Sequence, residues 1–358
     1  MSSINSSKKM TYVRLGNSGL KVSRLILGLG SYGNKTWYES ALEEEDGIKQ
    51  IKAAYDAGIQ TFDTANSYAG GDSERILGKA IKQLNLPRDE IVVMTKVYFP
   101  VAPTFTIPSP AVDAAGYVNQ YGLGRKVSQH IVKLVWHTNR SCYIFESIKH
   151  SLERLQLDYV DVLQCHWFDE DTPIAETMQA LHDVVKAGYA RYIGMSNCAA
   201  YQFHAMQNYA INNKLTPFIS VQNQYNLICR EEEREMIPTL KMFGVGLTPY
   251  SPVAQGLLSR QYSQPSPRAA LDPRLNQMKE HNKEVILRLE KIAQSRGASM
   301  GQVAIAWHLS KTGVTPIIGA STPKSLEDTI GAIDIKLTDE EIRALEEPYV
   351  AQPLQGQA

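Results

Sequence analysis

The 358-residue sequence lacks the features of several large classes of protein. Lys and Arg together number 37, as do Asp and Glu, so no basic surplus is present to neutralise a nucleic-acid backbone. No apolar run approaches the ~20 residues that span a bilayer, and residues 1–10 hold no apolar stretch of the kind that directs secretion. We therefore expect a cytoplasmic protein with no nucleic-acid partner and no membrane association.

Cysteine is also scarce, and the spacing of the cysteines argues against disulfide bonds and against a zinc site. None of the cysteines forms a Cys-x-x-Cys pair or stands three or four residues from a histidine, as zinc ligands commonly do. The four cysteines are Cys142, Cys165, Cys198 and Cys229. We expect reduced thiols and no metal site.

The sequence instead contains a regular alternation of short apolar segments and segments with helical periodicity. The predicted strands are 25–30, 59–63, 91–96, 158–166, 190–196, 218–225, 245–251 and 314–321. Eight strand–helix units predict an α/β fold of the (β/α)8 TIM-barrel class, because short apolar strands separated by helices form parallel sheets. A β-hairpin is predicted at the N-terminus, over 12–23, and 276–296 reads as one of several further helices towards the C-terminus.

The predicted barrel occupies residues 11–347, between a disordered tail at 1–10 and a C-terminal tail at 348–358. Gly28, Gly30 and Gly33 follow the first barrel strand with the spacing of a dinucleotide-binding motif. A loop-like sequence follows them where that motif requires a helix, so we favour the barrel. The glycines are then interpreted as positions where a loop approaches a ligand closely.

Four polar residues with complementary chemistry stand at or just beyond the ends of three consecutive predicted strands. They are Asp63, Tyr68, Lys96 and His166. Each of these residue types is, by itself, more often structural. Because the carboxyl ends of barrel strands meet at one face, however, we expect these four side chains to share one pocket.

This set of groups predicts a proton-transfer mechanism. A phenol has a pKa near 10 and is a poor acid at neutral pH, and a nearby ammonium should lower that pKa. Asp63 would keep Lys96 charged, Lys96 would tune Tyr68, and Tyr68 would donate a proton. His166 would hydrogen-bond a substrate carbonyl and orient it.

The sequence resembles the aldo-keto reductase family over roughly residues 12–347. The resemblance rests on FDTANSY (62–68), SERILG (73–78), TK (95–96), LQCH (163–166), IGMSN (193–197), VQNQY (221–225), TPYSP (248–252) and IGAS (318–321). It implies a (β/α)8 barrel closed by an N-terminal hairpin, binding of NADPH or NADP⁺ without a Rossmann fold, and a catalytic tetrad of Asp63, Tyr68, Lys96 and His166.

The resemblance also implies a set of cofactor contacts. Ser196, Asn197 and Gln222 would hold the nicotinamide carboxamide, and Tyr250 would stack on its ring. The full implied set is Gly30, Ser31, Asp63, Ser196, Asn197, Gln222, Tyr250, Ser251, Pro252, Gly256, Leu257, Gly319, Ser321, Lys324, Ser325 and Asp328. The sequence departs from the family pattern at Ser325 and Thr329, near the expected 2′-phosphate. Lys324 would supply positive charge there, or is simply a solvated lysine at the start of a helix.

Within the family, ERLQLDYVDVLQ (153–164) and IIGASTPKSLEDTIGAI (317–333) resemble aryl-alcohol dehydrogenases, fungal secondary-metabolite reductases and potassium-channel β subunits. The first two imply an NADP(H)-dependent reductase of aldehydes or ketones, with a small aromatic or secondary-metabolite carbonyl as substrate and Tyr68 as general acid. The alternative is a nucleotide-sensing regulatory subunit with little catalysis. His166 favours the enzyme, because channel subunits commonly carry asparagine there. We expect a monomer or a weak homo-oligomer.

Residues 127–143 interrupt this resemblance. Relatives in this subgroup usually continue directly from a segment like YGLGRK (121–126) to one like IFES (144–147), but here 17 residues intervene. Our hypothesis is a short retained intron, since Val127-Ser128 can be encoded by GTAAGT, the form of a 5′ splice site. A genuine loop over the active face is the alternative, and sequencing the transcript distinguishes the two. A non-functional product is the third alternative for the function of the protein, and it applies if the insert prevents folding.

Overall fold

A computed structural model describes residues 10–36, 40–101, 120–124, 143–265 and 272–351. The chain divides into two compact units. The larger unit comprises the described residues of Leu27–Asp56 and Gln60–Val221. The smaller unit comprises those of Met1–Ile26, Ala57–Ile59 and Gln222–Ala358.

The larger unit carries most of a parallel sheet. Its strands follow one another in sequence order, with Asp63 beside Met94 and Lys96 beside Gln164. Ile26 at the start of the first strand and Gln222 at the end of the last belong to the smaller unit. The strands are β3 (Ile26–Gly28), β4 (Thr61–Asp63), β5 (Val92–Val97), β6 (Val160–Cys165), β7 (Ala190–Ser196) and β8 (Phe218–Gln222). Every residue of β5 and β6 is buried, as expected for strands covered on both faces.

Amphipathic helices alternate with these strands. Helix α4, for example, buries Met178, Leu181 and Val184, which recur at the spacing of one helical face. The helices of the larger unit are α1 (Glu44–Asp56), α2 (Asp72–Gln83), α3 (Tyr143–Leu155), α4 (Ile174–Lys186) and α5 (Ala200–Asn212). Among the described residues of the whole chain, none of the helices is long and apolar enough to cross a membrane.

The smaller unit begins with the predicted hairpin, in which β1 (Tyr12–Arg14) pairs antiparallel with β2 (Lys21–Ser23). Its turn contains Gly16 with a φ of 58°, and a Cβ there would lie 2.5 Å from the carbonyl oxygen of Gly244. Only glycine fits both the left-handed backbone and this close approach. The hairpin prediction is confirmed.

The smaller unit also supplies the last two strands, β9 (Gly246–Leu247) and β10 (Ile317–Ile318). The Leu247 N–H donates to the Gly313 carbonyl, and the Ile26 N–H donates to the Pro316 carbonyl. The accompanying helices are α6 (Met236–Phe243), α7 (Pro273–His281), α8 (Lys283–Ser295), α9 (Met300–Ser310), α10 (Pro323–Ile330) and α11 (Asp339–Glu346). Strands β3 to β10 are the eight strands predicted for the barrel, and the (β/α)8 fold class is confirmed.

One predicted helix is wrong, because 276–296 forms two helices rather than one. Helix α7 ends at His281 and α8 starts at Lys283. Between them, the buried Asn282 side chain donates to the Met278 carbonyl over 2.7 Å. The same carbonyl also accepts the Asn282 N–H over 3.1 Å, and the backbone leaves the helical conformation at Asn282, with a φ of −103° and a ψ of 21°.

The glycine-rich segment after β3 leads into turns, and the next helix starts only at Glu44. This outcome agrees with the barrel and not with a dinucleotide-binding βαβ unit. Gly33 has a φ of 151°, and a Cβ there would lie 2.2 Å from the Ala69 side chain. Glycine at this position therefore allows a close approach to the loop that follows β4.

The anomalous segment is bounded by two residues that lie close together. The Tyr143 N–H donates to the Gly124 carbonyl over 3.0 Å, while 125–142 lie outside the described residues. Tyr143, predicted to be the last residue of the insert, begins α3, and its hydroxyl donates to the Phe99 carbonyl over 2.9 Å. Whether 127–143 is a retained intron or a loop stays a prediction.

Because Gly124 and Tyr143 already contact each other, we expect deletion of 125–142 to leave the fold intact. The shortened protein should unfold cooperatively in thermal denaturation, within a few degrees of the full chain, because the two residues to be joined already lie within hydrogen-bonding distance. A variant with 18 Gly/Ser residues in place of the same segment is the matched control. A non-cooperative melt of the deletion variant alone would contradict this expectation.

Candidate active site

The larger unit brings all four predicted catalytic residues together. Asp63 ends β4, Lys96 is the penultimate residue of β5, and His166 directly follows β6. Tyr68 begins a short 3₁₀ segment that connects β4 to α2. The parallel register places these strand ends side by side, as the strand-end argument predicted.

A buried ion pair lies at the centre of the site. The Lys96 Nζ lies 2.6 Å from the Asp63 Oδ2, and both side chains are almost completely buried. Lys96 also donates to the Thr64 carbonyl over 2.9 Å and to the Tyr68 hydroxyl over 3.2 Å. The ammonium therefore has three oxygen partners in fixed directions, one of which is the phenol.

Gln164 completes this arrangement, although sequence analysis did not single it out. Its side-chain Nε2 donates to Asp63 Oδ1 over 3.0 Å, so each carboxylate oxygen of Asp63 has a hydrogen-bond donor. Gln164 stands two residues before His166, and alternate residues of a strand share a face. That spacing was the signal in the sequence that could have identified it.

The ion pair sets the protonation states around it. Burial works against a charge on Lys96, but the Asp63 carboxylate beside it holds the pKa of Lys96 above its usual value. Burial raises the pKa of Tyr68 and outweighs the opposing effect of the Lys96 charge. The Lys96 ammonium lowers the pKa of Tyr68 as predicted, but the net pKa is raised because the cost of burying a phenolate is larger than the attraction of the ammonium. Tyr68 is a protonated phenol at neutral pH.

His166 is half-buried beside aromatic rings, and its imidazole is neutral. Burial and the charge of Lys96 hold the pKa of His166 well below its usual value. Its ring meets those of Tyr68 and Phe99 edge to face, with centroids 5.6 Å and 5.2 Å apart. Within the described part of the chain, the buried His166 Nδ1 has no hydrogen-bond partner.

Polar contacts fix the loop that carries Tyr68. The Ser73 hydroxyl donates to the Leu29 carbonyl over 2.8 Å and lies 2.7 Å from the Thr64 hydroxyl. Next to it, the completely buried Glu74 accepts from Arg154 and from Thr95, each over 2.6 Å. The SERILG motif thus attaches the start of α2 to the strands on either side of Tyr68.

Aromatic side chains border His166. Phe99, which sequence analysis missed, packs edge to face on Tyr98 and on Trp167 as well as on His166. From the sequence alone, the aromatic residues near predicted strand ends are candidates for pocket walls, and they are Tyr32, Trp37, Tyr98, Trp167 and Phe168. In the structure Tyr32 is completely buried, and Trp37 lies outside the described residues.

The predicted cofactor residues of the larger unit lie at its strand ends. Asn197 has a left-handed backbone, with a φ of 48°, and its side-chain Nδ2 donates to the His166 carbonyl over 2.9 Å and to Ser196 Oγ over 3.1 Å. Gly30 is exposed beside the Tyr68 ring, which a Cβ on Gly30 would meet at 3.6 Å. The partly exposed Ser31 follows it.

A second group of predicted cofactor residues forms one loop of the smaller unit. Ser251 and Gly256 have left-handed backbones, with φ values of 54° and 98°. Pro252 and Leu257 are buried, and Tyr250 is half-buried. Gln222, at the end of β8, is buried. The remaining predicted cofactor residues lie around the start of α10.

At the start of α10, Gly319, Ser321 and Lys324 are exposed. Ser325 is the third residue of a capping box, in which its hydroxyl donates to the Thr322 carbonyl over 2.8 Å. The Asp328 carboxylate accepts from the Ser299 hydroxyl over 2.7 Å. Ser325 and Asp328 therefore already hold α10 in place through contacts within the protein.

The comparisons with known proteins agree with this geometry. The Aldo/keto reductase family model matches residues 24–349. The chain belongs to the aldo/keto reductase family. It is 44% identical to the versiconal hemiacetal acetate reductase of Aspergillus parasiticus, over 96% of this chain and 98% of that protein.

Two further relatives cover nearly the whole chain. The aldo-keto reductase AMT2 of Alternaria alternata is 41% identical, over 98% of this chain and 94% of that protein. AAD16 of Saccharomyces cerevisiae, provisionally named an aryl-alcohol dehydrogenase, is also 41% identical, over 95% of this chain and 97% of that protein. This aldo-keto reductase is therefore an oxidoreductase of the carbonyl-reducing class, and the family resemblance is confirmed.

We expect the Asp63→Asn variant to be less stable than the wild type, because Lys96 would be left buried without its carboxylate. The free energy of unfolding should fall by roughly 3–5 kcal/mol in chemical denaturation at pH 7. The double variant Asp63→Asn/Lys96→Met should recover part of the loss, since it removes the uncompensated charge. Equal destabilisation by the single and double variants would contradict this account.

Proposed function

We propose that this protein is an NADP(H)-dependent reductase of aldehydes or ketones in which Tyr68 is the general acid. The observation that carries the proposal is the hydrogen bond between the Tyr68 hydroxyl and the buried, carboxylate-paired Lys96 ammonium. It supplies a protonated phenol beside a permanent positive charge. That charge stabilises the phenolate that remains once the proton has been donated.

The residues at the predicted cofactor positions fit a nicotinamide dinucleotide. Asn197 and Gln222 carry amides and Ser196 carries a hydroxyl, which are the donors and acceptors that a carboxamide needs. Gly256 and Gly319 have no side chain. No atom lies within 4 Å of the position that a Cβ on Gly319 would take, so space is left there for a ligand. When bound, the cofactor would supply the hydride, which protein side chains cannot.

His166 would orient the substrate rather than exchange its proton. Because its Nδ1 is buried without a partner among the described residues, a proton there would be an unpaired buried donor. The favoured tautomer therefore carries its proton on Nε2. The neutral ring would donate this N–H to the substrate carbonyl oxygen, while Tyr68 protonates the same oxygen as charge develops on it.

Lys324 supports NADP(H) as the cofactor. It is an exposed cation in the first turn of α10, where helix N–H groups and a lysine together favour a phosphate. Ser325, one of the two positions where the sequence departs from the family pattern, adds no charge there. The preference for NADPH over NADH would therefore depend on Lys324.

The rings beside His166 support small aromatic carbonyls as substrates. The Phe99 ring contacts His166, which would bind the substrate carbonyl oxygen, and the rings of Tyr98 and Trp167 contact Phe99. Together they offer flat apolar surfaces to a substrate. A cytoplasmic, monomeric or weakly associating enzyme remains our expectation. The regulatory-subunit alternative has no observation in its favour, because the relatives above carry the names of reductases and a dehydrogenase.

We expect Tyr68→Phe to abolish carbonyl reduction but to leave cofactor binding unchanged. Removing the hydroxyl removes the general acid, which typically contributes about 10²- to 10⁴-fold to the rate. The measurements are loss of NADPH absorbance with aromatic aldehydes and quenching of protein fluorescence by NADPH. Tyr55→Phe is the matched control, since it removes an exposed tyrosine–glutamate hydrogen bond far from this chemistry. Wild-type turnover in Tyr68→Phe would refute the assignment.

We also expect kcat for reduction to be nearly independent of pH between 6 and 9. A raised Tyr68 pKa keeps the acid protonated throughout this range, and a lowered His166 pKa keeps the imidazole neutral down to its acidic end. Steady-state rates at saturating NADPH and aldehyde test this. A fall in kcat with an apparent pKa near 6.5 would show that His166 titrates normally and would contradict the proposed role.

A further inference from the structure

Arg230, in an internal loop of the smaller unit, is bonded to residues at and just beyond the end of α11. The Arg230 guanidinium donates to both carboxylate oxygens of Glu233, over 3.0 Å and 2.7 Å. It also donates to the Glu346 backbone carbonyl over 3.0 Å and lies 3.3 Å from the Glu346 carboxylate. Since the arginine side chain is only 10% exposed, water competes little for these contacts.

Tyr349 makes a second attachment, directly to the backbone of that loop. Its hydroxyl accepts from the Arg230 N–H over 3.0 Å and donates to the Glu231 carboxylate over 2.7 Å. Its ring lies 5.2 Å from the Arg230 guanidinium. One side chain near the end of the chain therefore contacts both the backbone and the side chain of Arg230.

Helix α9 also contacts Glu346 and the internal loop, through Trp307. Trp307 Nε1 donates to the Glu346 carboxylate over 2.7 Å, and the Trp307 ring packs on that of Tyr225 with centroids 5.1 Å apart. The Tyr225 hydroxyl donates to Glu233 over 2.6 Å. We call Glu346, Tyr349 and Arg230, with the contacts described, the C-terminal latch.

The latched loop also contains Asn226, which contacts the predicted cofactor loop. Asn226 is completely buried and makes two backbone hydrogen bonds with Cys229, each of 3.0 Å. Its side-chain oxygen accepts from the Ile228 N–H, and its Nδ2 donates to the Ser251 carbonyl, each over 3.0 Å. Rotating the amide would exchange its donor and its acceptor and break both side-chain bonds. The turn between Asn226 and Cys229 therefore fixes the orientation of the Asn226 side chain.

Ser251 has an unfavourable backbone. Its φ of 54° lies in the left-handed region, as do those of Ala254 and Gln255 three and four residues later. Non-glycine residues adopt this conformation only where surrounding contacts impose it. The hydrogen bond from Asn226 is one such contact, and it acts on the first residue of this strained segment, 251–256.

We propose that the C-terminal latch positions segment 251–256 for binding the pyrophosphate of the dinucleotide cofactor. The latch fixes the loop at Arg230, the loop fixes Asn226, and Asn226 holds the Ser251 carbonyl. Tyr349 and Asn226 are thus positioning residues, which would touch neither cofactor nor substrate. This inference rests on the proposed function, because it assigns Ser251 to the cofactor site.

The chemical step should not respond to the latch. The latch and segment 251–256 both belong to the smaller unit, whereas Asp63, Tyr68, Lys96 and His166 belong to the larger one. If the latch is loosened, segment 251–256 should relax out of its left-handed conformation in the free protein. Cofactor binding would then have to restore that conformation, at the expense of binding free energy. Cofactor affinity should fall, while turnover at saturating cofactor should stay unchanged.

The test uses Tyr349→Phe, Asn226→Asp and the double variant of the full-length protein. Tyr349→Phe keeps the ring on Arg230 but removes both hydroxyl contacts, and Asn226→Asp keeps the shape but removes the donor to Ser251. NADPH Kd is measured by fluorescence titration, and kcat for an aromatic aldehyde at saturating NADPH. Tyr55→Phe is again the matched control, because it loses a hydroxyl–carboxylate bond in the larger unit.

Each single variant should raise the NADPH Kd by roughly three- to tenfold with kcat within twofold of wild type. In the double variant, the fold increase in the NADPH Kd should be smaller than the product of the two single increases, because both substitutions loosen the same chain of contacts. Thermal denaturation establishes that each variant is folded. Should Asn226→Asp fail to fold, the Kd of Tyr349→Phe decides alone.

An unchanged Kd in folded Tyr349→Phe would overturn the proposal, even if its melting temperature falls, since the latch would then only stabilise the fold. A fall in kcat with an unchanged Kd would also overturn it. Failure of the proposed function itself looks different. The wild-type protein would then not bind NADPH at all, whereas failure of the latch alone leaves wild type and variants binding equally well.

Discussion

The buried pair of Asp63 and Lys96 is the interaction on which the candidate active site depends. A charged ammonium with no access to water is stable only beside an opposite charge and with its hydrogen bonds satisfied. Asp63 supplies the charge at 2.6 Å, and Gln164 occupies the second oxygen of the carboxylate. In the function we propose, this fixed positive charge would allow Tyr68 to act as an acid, because a phenolate in an apolar pocket would otherwise be too costly.

The fold serves this pair by placing the ends of three parallel strands in register. Neither residue of the pair lies on a long loop, so their separation is set by the β4–β5 register rather than by a flexible connection. Tyr68 does lie in a loop, and that loop is attached by Ser73 and Glu74 to the strands around it. Among the residues with a left-handed backbone, Asn197 and Ser251 are predicted cofactor positions, and side-chain hydrogen bonds hold both of them.

The sequence-based expectations succeeded where a pattern had one structural solution. Eight apolar segments bounded by helical periodicity have few alternatives to a barrel, and their positions match the observed strands. The expectation of one helix over 276–296 failed because periodicity continues through Asn282, where the backbone leaves the helical conformation and the side chain bonds locally to Met278. The direction of the Lys96 effect on the Tyr68 pKa followed from the sequence, but the net shift did not, because it depends on how far the fold buries the phenol.

The sequence by itself determined the fold class, the four catalytic candidates and the family, because these follow from residue type and spacing along the chain. Only the tertiary structure decided which neighbours complete them. Gln164 and Phe99 acquire their roles through strands and loops brought alongside Asp63 and His166, and the bond from Asn226 to Ser251 joins residues that are 25 positions apart. Such contacts depend on distance and direction in space, and no periodicity along a chain encodes those.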